Sequence, residues 1–402
     1  MNASGTENMI RYFSAPGRVE IGGNHTDHQH GRVLAAAVGL EITAAVKKSG
    51  SDIVRFSNKG GLFSGAGGTG ERFPFSATAA KKSRPPVAEI DLRVLDALPG
   101  EKGTSAGLIR GVAAWFVKHG YAIGGFDAEI SSTVPVGAGL SSSAAFEVLI
   151  GNIFKGLYGA DISCIELAKA GQFSENVYFG KPCGLMDQAA SSFGGLNIID
   201  FEDPDNTVVT PVKAELPGYS LCVVDTGGSH ADLTPDYAAI PGEMKAVAAY
   251  FNKEYLSELP ADEFYASIKR LRHLGDRAIM RAIHFYGENE RVLKQAAALE
   301  RGDTEAFFDL VIESGRSSLA YLQNVFSTTA PQEQGVTLAL ALSEKILTGK
   351  GAWRVHGGGF AGTILAFLPD ALKETYNNQM CKVFGKNCCH FLNIRRKGGS
   401  EL

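Results

Sequence analysis

Apolar positions along the chain switch between two periods, and the switches mark out its elements. Val33-Leu34-Ala35-Ala36-Ala37-Val38 and Glu41-Ile42-Thr43-Ala44-Ala45-Val46 read as two strands of a well-covered sheet. Residues 11–23 read as a short strand and a turn, and Ala128-Glu129-Ile130-Ser131-Ser132 and Gly195-Leu196-Asn197-Ile198-Ile199-Asp200 as further strands. Helical spacing runs over 105–118, through Leu108, Ile109, Val112, Ala113, Trp115 and Phe116. It returns from Phe146 through Ile153 and Leu157, and over 163–176 with Ile165, Leu167, Ala168, Ala170 and Gly171 on the buried side. The polar turn 202–206 marks the predicted boundary between domains 1–203 and 204–402. Beyond it come a strand at 221–226, helical segments at 237–256, 261–275, 277–299 and 303–317, and a helix near 331–347. A strand pair around the glycines at 357–362 follows. Strands and helices mixed in both halves predict two α+β domains with the site between them.

Composition narrows the function. With 402 residues, 45% apolar and 20% charged, the chain is long enough for two cores. A net charge of −4 offers no overall basic field for nucleic acid or an anionic membrane, which leaves a small-molecule partner. The first residues lack a basic-then-apolar signal, and no apolar run approaches the roughly 20 residues of a membrane span, so the expected location is the cytoplasm. Six cysteines without a C-x-x-C pair read as reduced thiols, with Cys388 and Cys389 in a strand.

The stretch that organises the chemistry is Val134-Pro135-Val136-Gly137-Ala138-Gly139-Leu140-Ser141-Ser142-Ser143-Ala144-Ala145. It runs into a helix, so it ends where backbone N–H groups are unpaired and the dipole favours an anion. No lysine follows, so this is not the G-x-x-x-x-G-K-[ST] loop, and the cation for a triphosphate must come from elsewhere. The plain alternative is a serine-capped helix after a glycine turn. Gly65, Gly67 and Gly70 satisfy G-x-G-x-x-G, yet Glu71-Arg72-Phe73-Pro74 cannot open the helix that a dinucleotide site requires, so a hairpin tip is expected there. Gly357, Gly359 and Gly362 match the same spacing ahead of a strand and read as a hairpin turn.

Other polar residues interrupt apolar surroundings. Asn24-His25-Thr26-Asp27-His28-Gln29-His30-Gly31 lies between strands, and its histidines admit a metal reading beside that of a His-rich surface loop. Asp187 is flanked by Gly184-Leu185-Met186 and small residues, so it is either a buried carboxylate with a task or the cap of a helix over 188–192. Phosphate cradle, acidic Glu175 and Asp187, and cationic Arg18 supply the parts that phosphoryl transfer needs. A serine hydrolase is disfavoured because Gly139-Leu140-Ser141-Ser142 is not G-x-S-x-G.

Four motifs together resemble the GHMP kinase superfamily and, within it, the galactokinases. They are the loop 135–145, Ala15-Pro16-Gly17-Arg18-Val19 with Gly23-Asn24-His25-Thr26-Asp27, Cys183-Gly184-Leu185-Met186-Asp187-Gln188, and Gly357-Gly358-Gly359-Phe360. The resemblance implies an N-terminal domain of ribosomal S5 domain 2-like α+β type, a ferredoxin-like C-terminal domain, and an active site in the cleft between them. It implies ATP-dependent phosphorylation of the anomeric 1-hydroxyl of galactose by a monomer or weak oligomer. Pro135, Gly137, Ala138, Gly139, Leu140, Ser141, Ser142 and Ser143 would bind ATP, and Ser143 and Glu175 would hold Mg2+. Asp187 would accept or align the hydroxyl proton beside Arg18, while Asn24, His25, Asp27, Gly184 and Tyr237 would contact the sugar, and the glycines at 357–359 would lie near the phosphates.

The chain departs from the family pattern at Asn24, which stands where a glutamate contacts the far end of the sugar, and at His28, which replaces an aromatic residue. The segment Thr104–Gly111 also differs from the one placed near adenine. An amide at 24 still reads a 6-hydroxyl and repels a C6 carboxylate less, so a kinase for galacturonate, N-acetylgalactosamine or arabinose is the alternative of the same chemistry. A non-catalytic sugar and ATP sensor is the alternative of a different class.

Overall fold

The computed structural model describes residues 9–58, 88–181, 183–228 and 233–402. The Gly65, Gly67, Gly70 spacing and its expected hairpin tip lie outside them. By contacts the chain forms two units. The first comprises the described residues of Met1–Arg18, Ala37–Gly195 and Ile394–Leu402, and the second Val19–Ala36 and Leu196–Asn393. This division departs from a single cut at 203/204: the break lies at 195/196, and the stretches 19–36 and 394–402 belong to the other unit. Two long strands, β1 (Arg11–Gly22) and β2 (Arg32–Lys48), supply residues to both.

In the first unit the strand order is β12 (Ser400–Glu401), β1, β2, β5 (Phe126–Ser132), β3 (Ile53–Asn58), β4 (Ala88–Asp91). β2 is one strand where the apolar pattern predicts two, because Gly39 and Leu40 do not interrupt it. Its continuous run Val33–Val38 is buried throughout, whereas Ile42, Ala44 and Val46 alternate with less buried neighbours, as a strand covered on one face does. Helix α1 (Ser105–Lys118) begins at Thr104, whose hydroxyl accepts from the Gly107 N–H at 3.2 Å. Helix α2 (Ser142–Tyr158) ends at Gly159 in the left-handed conformation. Helix α3 (Cys164–Phe173) opens with the reciprocal Ser163 and Glu166 capping box. The predicted single helix over 163–176 instead continues as a wider π-helical turn, Ser174–Phe179, before α4 (Met186–Phe193). Phe116, Phe126, Phe146 and Phe154 are all buried and form the aromatic part of this core.

In the second unit the start of β2 pairs antiparallel with β6 (Leu196–Asp200), and β6 with β7 (Val208–Pro211). A separate antiparallel sheet has the order β11 (Cys389–Leu392), β8 (Tyr219–Asp225), β10 (Thr363–Pro369), β9 (Ala352–Val355). Its helices are α5 (Thr234–Tyr250), α6 (Ala261–Leu271), α7 (Asp276–Glu300), α8 (Thr304–Ser317), α9 (Gly335–Leu347) and α10 (Lys373–Phe384). One core is helical, around Met244, Phe264 and Phe285, and a second packs Val224, Val355 and Ile364 with Tyr376 and Met380. The turn between β9 and β10 is the expected hairpin. All six cysteines are free. Among the described residues no helix is long and apolar enough to cross a membrane.

Candidate active site

In the first unit the glycine and serine loop is pinned from below and open above. Ala138 and Leu140 are buried, while Gly137 is exposed with φ +80° and nothing near the place of a Cβ. Arg18, on β1, fastens the loop: its backbone N–H donates to the Leu140 carbonyl at 3.1 Å and its Nη1 to the Gly139 carbonyl. Gly17 is required for that approach, since a Cβ there would meet the Leu140 oxygen at 2.8 Å. Ser141 sits in the left-handed region at φ +53° and makes no capping bond, so the plain serine-cap reading does not hold. Its hydroxyl donates instead to Asp187 Oδ2.

Asp187 occupies the first turn of α4, whose cap is Leu185, so it does not cap the helix either. Arg18 grips it with Nε to Oδ1 at 2.6 Å and Nη2 to Oδ2 at 2.8 Å, the fork geometry of a strong charge-assisted pair. The arginine side chain is 7% exposed and the carboxylate 26%, so one face of the acid remains accessible. Burial pushes its pKa up, but the Arg18 charge and hydrogen bonds together with Ser141 outweigh that, and the carboxyl is held below its ordinary range.

Ser143 donates to Glu175 Oε1 at 3.0 Å, and Glu175 sits in the π-helical turn with 3% of its side chain exposed. Its other oxygen accepts from Gln188 Nε2 at 2.9 Å. Burial raises the Glu175 pKa, opposed chiefly by Lys181, whose Nζ lies 4.0 Å from Oε1. Reading the sequence assigned no role to Lys181, Gln188 or Glu147. The signal was there for Glu147, a charge inside the apolar run Phe146-Glu147-Val148-Leu149-Ile150. Gly184 lies in the loop entering α4.

The second unit holds the polar loop 24–31. Asn24 does not present its amide to a ligand. It is 0% exposed, its Nδ2 donates to Glu20 Oε1 at 3.0 Å and the Gly357 carbonyl at 2.7 Å, and its Oδ1 accepts from Asn324 Nδ2 at 2.9 Å and Ser318 Oγ at 3.3 Å. All four positions of the amide are thereby used. The expected contact of Asn24 with the sugar therefore has no amide donor or acceptor left over in this structure. Glu20 is paired with the fully buried Arg354 at 2.6 Å. His25 Nε2 faces the Gly358 carbonyl at 3.1 Å and so carries the proton, leaving Nδ1 to accept from His28 Nε2 at 3.2 Å. Burial lowers His25 to about 4 and drives His28 well below the ordinary range, so both rings are neutral at pH 7. Asp27 starts a short turn, Asp27–Gln29, and is half-buried. His30 stacks on Tyr255 with ring centres 3.6 Å apart. Among the described residues no three His, Cys, Asp or Glu converge on a metal position.

Tyr237, on α5, donates its hydroxyl to the Gly359 carbonyl at 2.8 Å and meets Phe360 edge-on. Gly358 leaves room for that ring, since a Cβ would lie 2.6 Å from Tyr237 Cε1. Within the first unit the structure therefore brings together Arg18, the loop 137–143, Glu175 and Asp187, and within the second Asn24, His25, Tyr237 and the glycines 357–359.

Residues 107–195 match the family described as GHMP kinases N terminal domain, and residues 2–48 the galactokinase galactose-binding signature. The chain is 31% identical over 364 residues to the galactokinase of Streptomyces coelicolor, covering 89% of this chain and 84% of that one. It is 27% identical over 379 residues to the galactokinase of Glaesserella parasuis serovar 5, covering 92% and 88%. Its fold matches the crystal structure of Lactococcus lactis galactokinase complexed with galactose, with a TM-score of 0.80 at 23% identity over 99% and 97% of the two chains.

Proposed function

The chain belongs to the galactokinase family of GHMP kinases, and from that premise we propose that it transfers the γ-phosphoryl group of ATP to the 1-hydroxyl of galactose. The observation that carries the reading is the accessible, doubly held Asp187 beside Arg18 and the loop at the start of α2. In it the 1-hydroxyl oxygen of the sugar forms a bond to the γ-phosphorus, the bond to the β,γ-bridging oxygen breaks, and the hydroxyl proton passes to Asp187. Oδ1 takes one hydrogen bond from Arg18, which leaves a lone pair to align that hydroxyl. A carboxylate held below its ordinary pKa is ionised at neutral pH but a weak base, which favours alignment first and proton acceptance late. Arg18 steadies the charge that develops, and backbone N–H groups at the start of α2 receive phosphate oxygens.

Ser143 and Glu175 fit Mg2+: they offer hydroxyl and carboxylate oxygens, the donors this ion takes, and a cation would offset the burial of Glu175. When bound there with ATP, the ion would neutralise phosphate charge. His25, Asp27, Gly184 and Tyr237 remain the proposed sugar contacts, in a cytoplasmic monomer or weak oligomer.

The test is ADP release by the purified protein with MgATP and galactose, glucose, N-acetylgalactosamine, galacturonate or arabinose. Turnover on galactose above the others is the expected result. Turnover on another sugar alone replaces the substrate and keeps the chemistry, whereas silence on all of them overturns the kinase.

A further inference from the structure

Behind the proposed metal ligands lies a second carboxylate that the reaction does not use. Glu147, on α2, is 1% exposed in an otherwise apolar stretch. Its Oε2 accepts from Gln188 Nε2 at 3.0 Å, and the same nitrogen donates to Glu175 Oε2 at 2.9 Å. A primary amide nitrogen carries two hydrogens, so each carboxylate receives one. Gln188 is itself 0% exposed. The cluster is built into the packing: a Cβ on Gly171 would fall 2.9 Å from Gln188 Cγ and 3.0 Å from Glu147 Oε2, so the helix carries glycine where the amide passes.

Glu175 is thus held by one oxygen and presents the other. Oε2 is tied back to Gln188 while Oε1 meets Ser143. The amide can serve this way only while its nitrogen, not its oxygen, is turned toward Glu175, and an acceptor at 147 selects that orientation. Resting on the reading of Ser143 and Glu175 as metal ligands, we propose that Glu147 is a positioning residue for Mg2+, acting through the Gln188 amide to fix the orientation of the Glu175 carboxylate. Its required property is an accepting oxygen at this place, not a charge.

That distinction makes the inference testable with two nearly isosteric variants, E147M and E147Q. Methionine fills the volume with only a weak thioether acceptor, and glutamine still offers an amide oxygen. We measure ATP binding by calorimetry with and without Mg2+, the Mg2+ concentration for half-maximal ADP release, and the sugar KM. E147M is expected to weaken Mg2+-dependent ATP binding and raise the Mg2+ half-saturation about tenfold, the usual size of an outer-shell loss. Its Mg2+-free ATP binding and sugar KM stay within about twofold of the parent, and E147Q stays within about threefold in every respect. Unchanged Mg2+ dependence in E147M, equal loss of Mg2+-free binding, or an E147Q as impaired as E147M overturns the proposal. Should E147M not fold, Q188L must show the same Mg2+ phenotype, and an unchanged dependence there overturns it as well. A parent protein whose ATP binding ignores Mg2+ would instead sink the reading on which this inference rests.

Discussion

Two positions apart on β1, Arg18 and Glu20 each enter an arginine–carboxylate pair, and the pairs serve opposite ends. Glu20 and Arg354 are sealed, with 3% and 0% of their side chains exposed. Arg354 also donates to the carbonyls of Ile21 and Val355, and Glu20 also takes the Asn24 amide. Charge, donors and acceptors are consumed in holding the second unit's backbone. Arg18 grips Asp187 just as tightly, but a quarter of the acid's side chain faces solvent and one oxygen has a lone pair to give. Ion pairing and burial alone do not mark a reactive carboxylate. On the proposed reading, what sets Asp187 apart is the hydrogen-bonding capacity left over once the protein has taken its share.

The sharpest test of this contrast is D187N. Turnover should fall about a thousandfold while thermal stability changes little, and near-normal turnover would remove Asp187 as proton acceptor. At the sealed pair the signs reverse: E20Q leaves a buried guanidinium without its counter-charge and should cost about 3 kcal/mol in urea unfolding, with kcat of the folded protein within threefold. A large loss of kcat at unchanged stability would erase the distinction. R18K should lower turnover about thirtyfold, because a point charge cannot hold both Asp187 oxygens and the Gly139 carbonyl together. Acidification is the mildest probe. His25 and His28 stay neutral when folded but bind protons when unfolded, so stability should decline as pH falls from about 6.5 toward 4. Asp187, with its pKa held down, stays ionised across most of that window. Denaturation midpoints at pH 7.5 and 5 check the sign, and greater stability at pH 5 would contradict the neutral histidine pair.

Much of this was legible from residues alone. The apolar spacing of 105–118 corresponds to α1, and the glycine loop does run into a helix, because local period and flexible glycines act over a few residues. The pairing of Arg18 with Asp187 spans 169 positions and came from resemblance to a family, not from spacing. Asn24 is assigned to the sugar by that same resemblance, and only the fold brings Gly357, Ser318 and Asn324 to its amide beside Glu20. Gln188 is ordinary in its own helix, and although Glu147 stands out as a charge in an apolar run, its chemistry exists only where it meets that amide.

The π-helical turn Ser174–Phe179 bears on how this sequence can change over time. A wide turn is a helix carrying one residue more than its regular pitch needs, and here the surplus sets the angle of Glu175. Each residue of an α-helix advances about 100°, so a deletion here would let the helix regularise and swing one flank away from its partners. Either Glu175 would leave Ser143, or Asn176, which accepts from the Cys183 N–H at 2.7 Å, would release the approach to Asp187. Descendants of this chain can vary the exposed Val177 freely, yet the length of the segment around it is inherited as a fixed quantity.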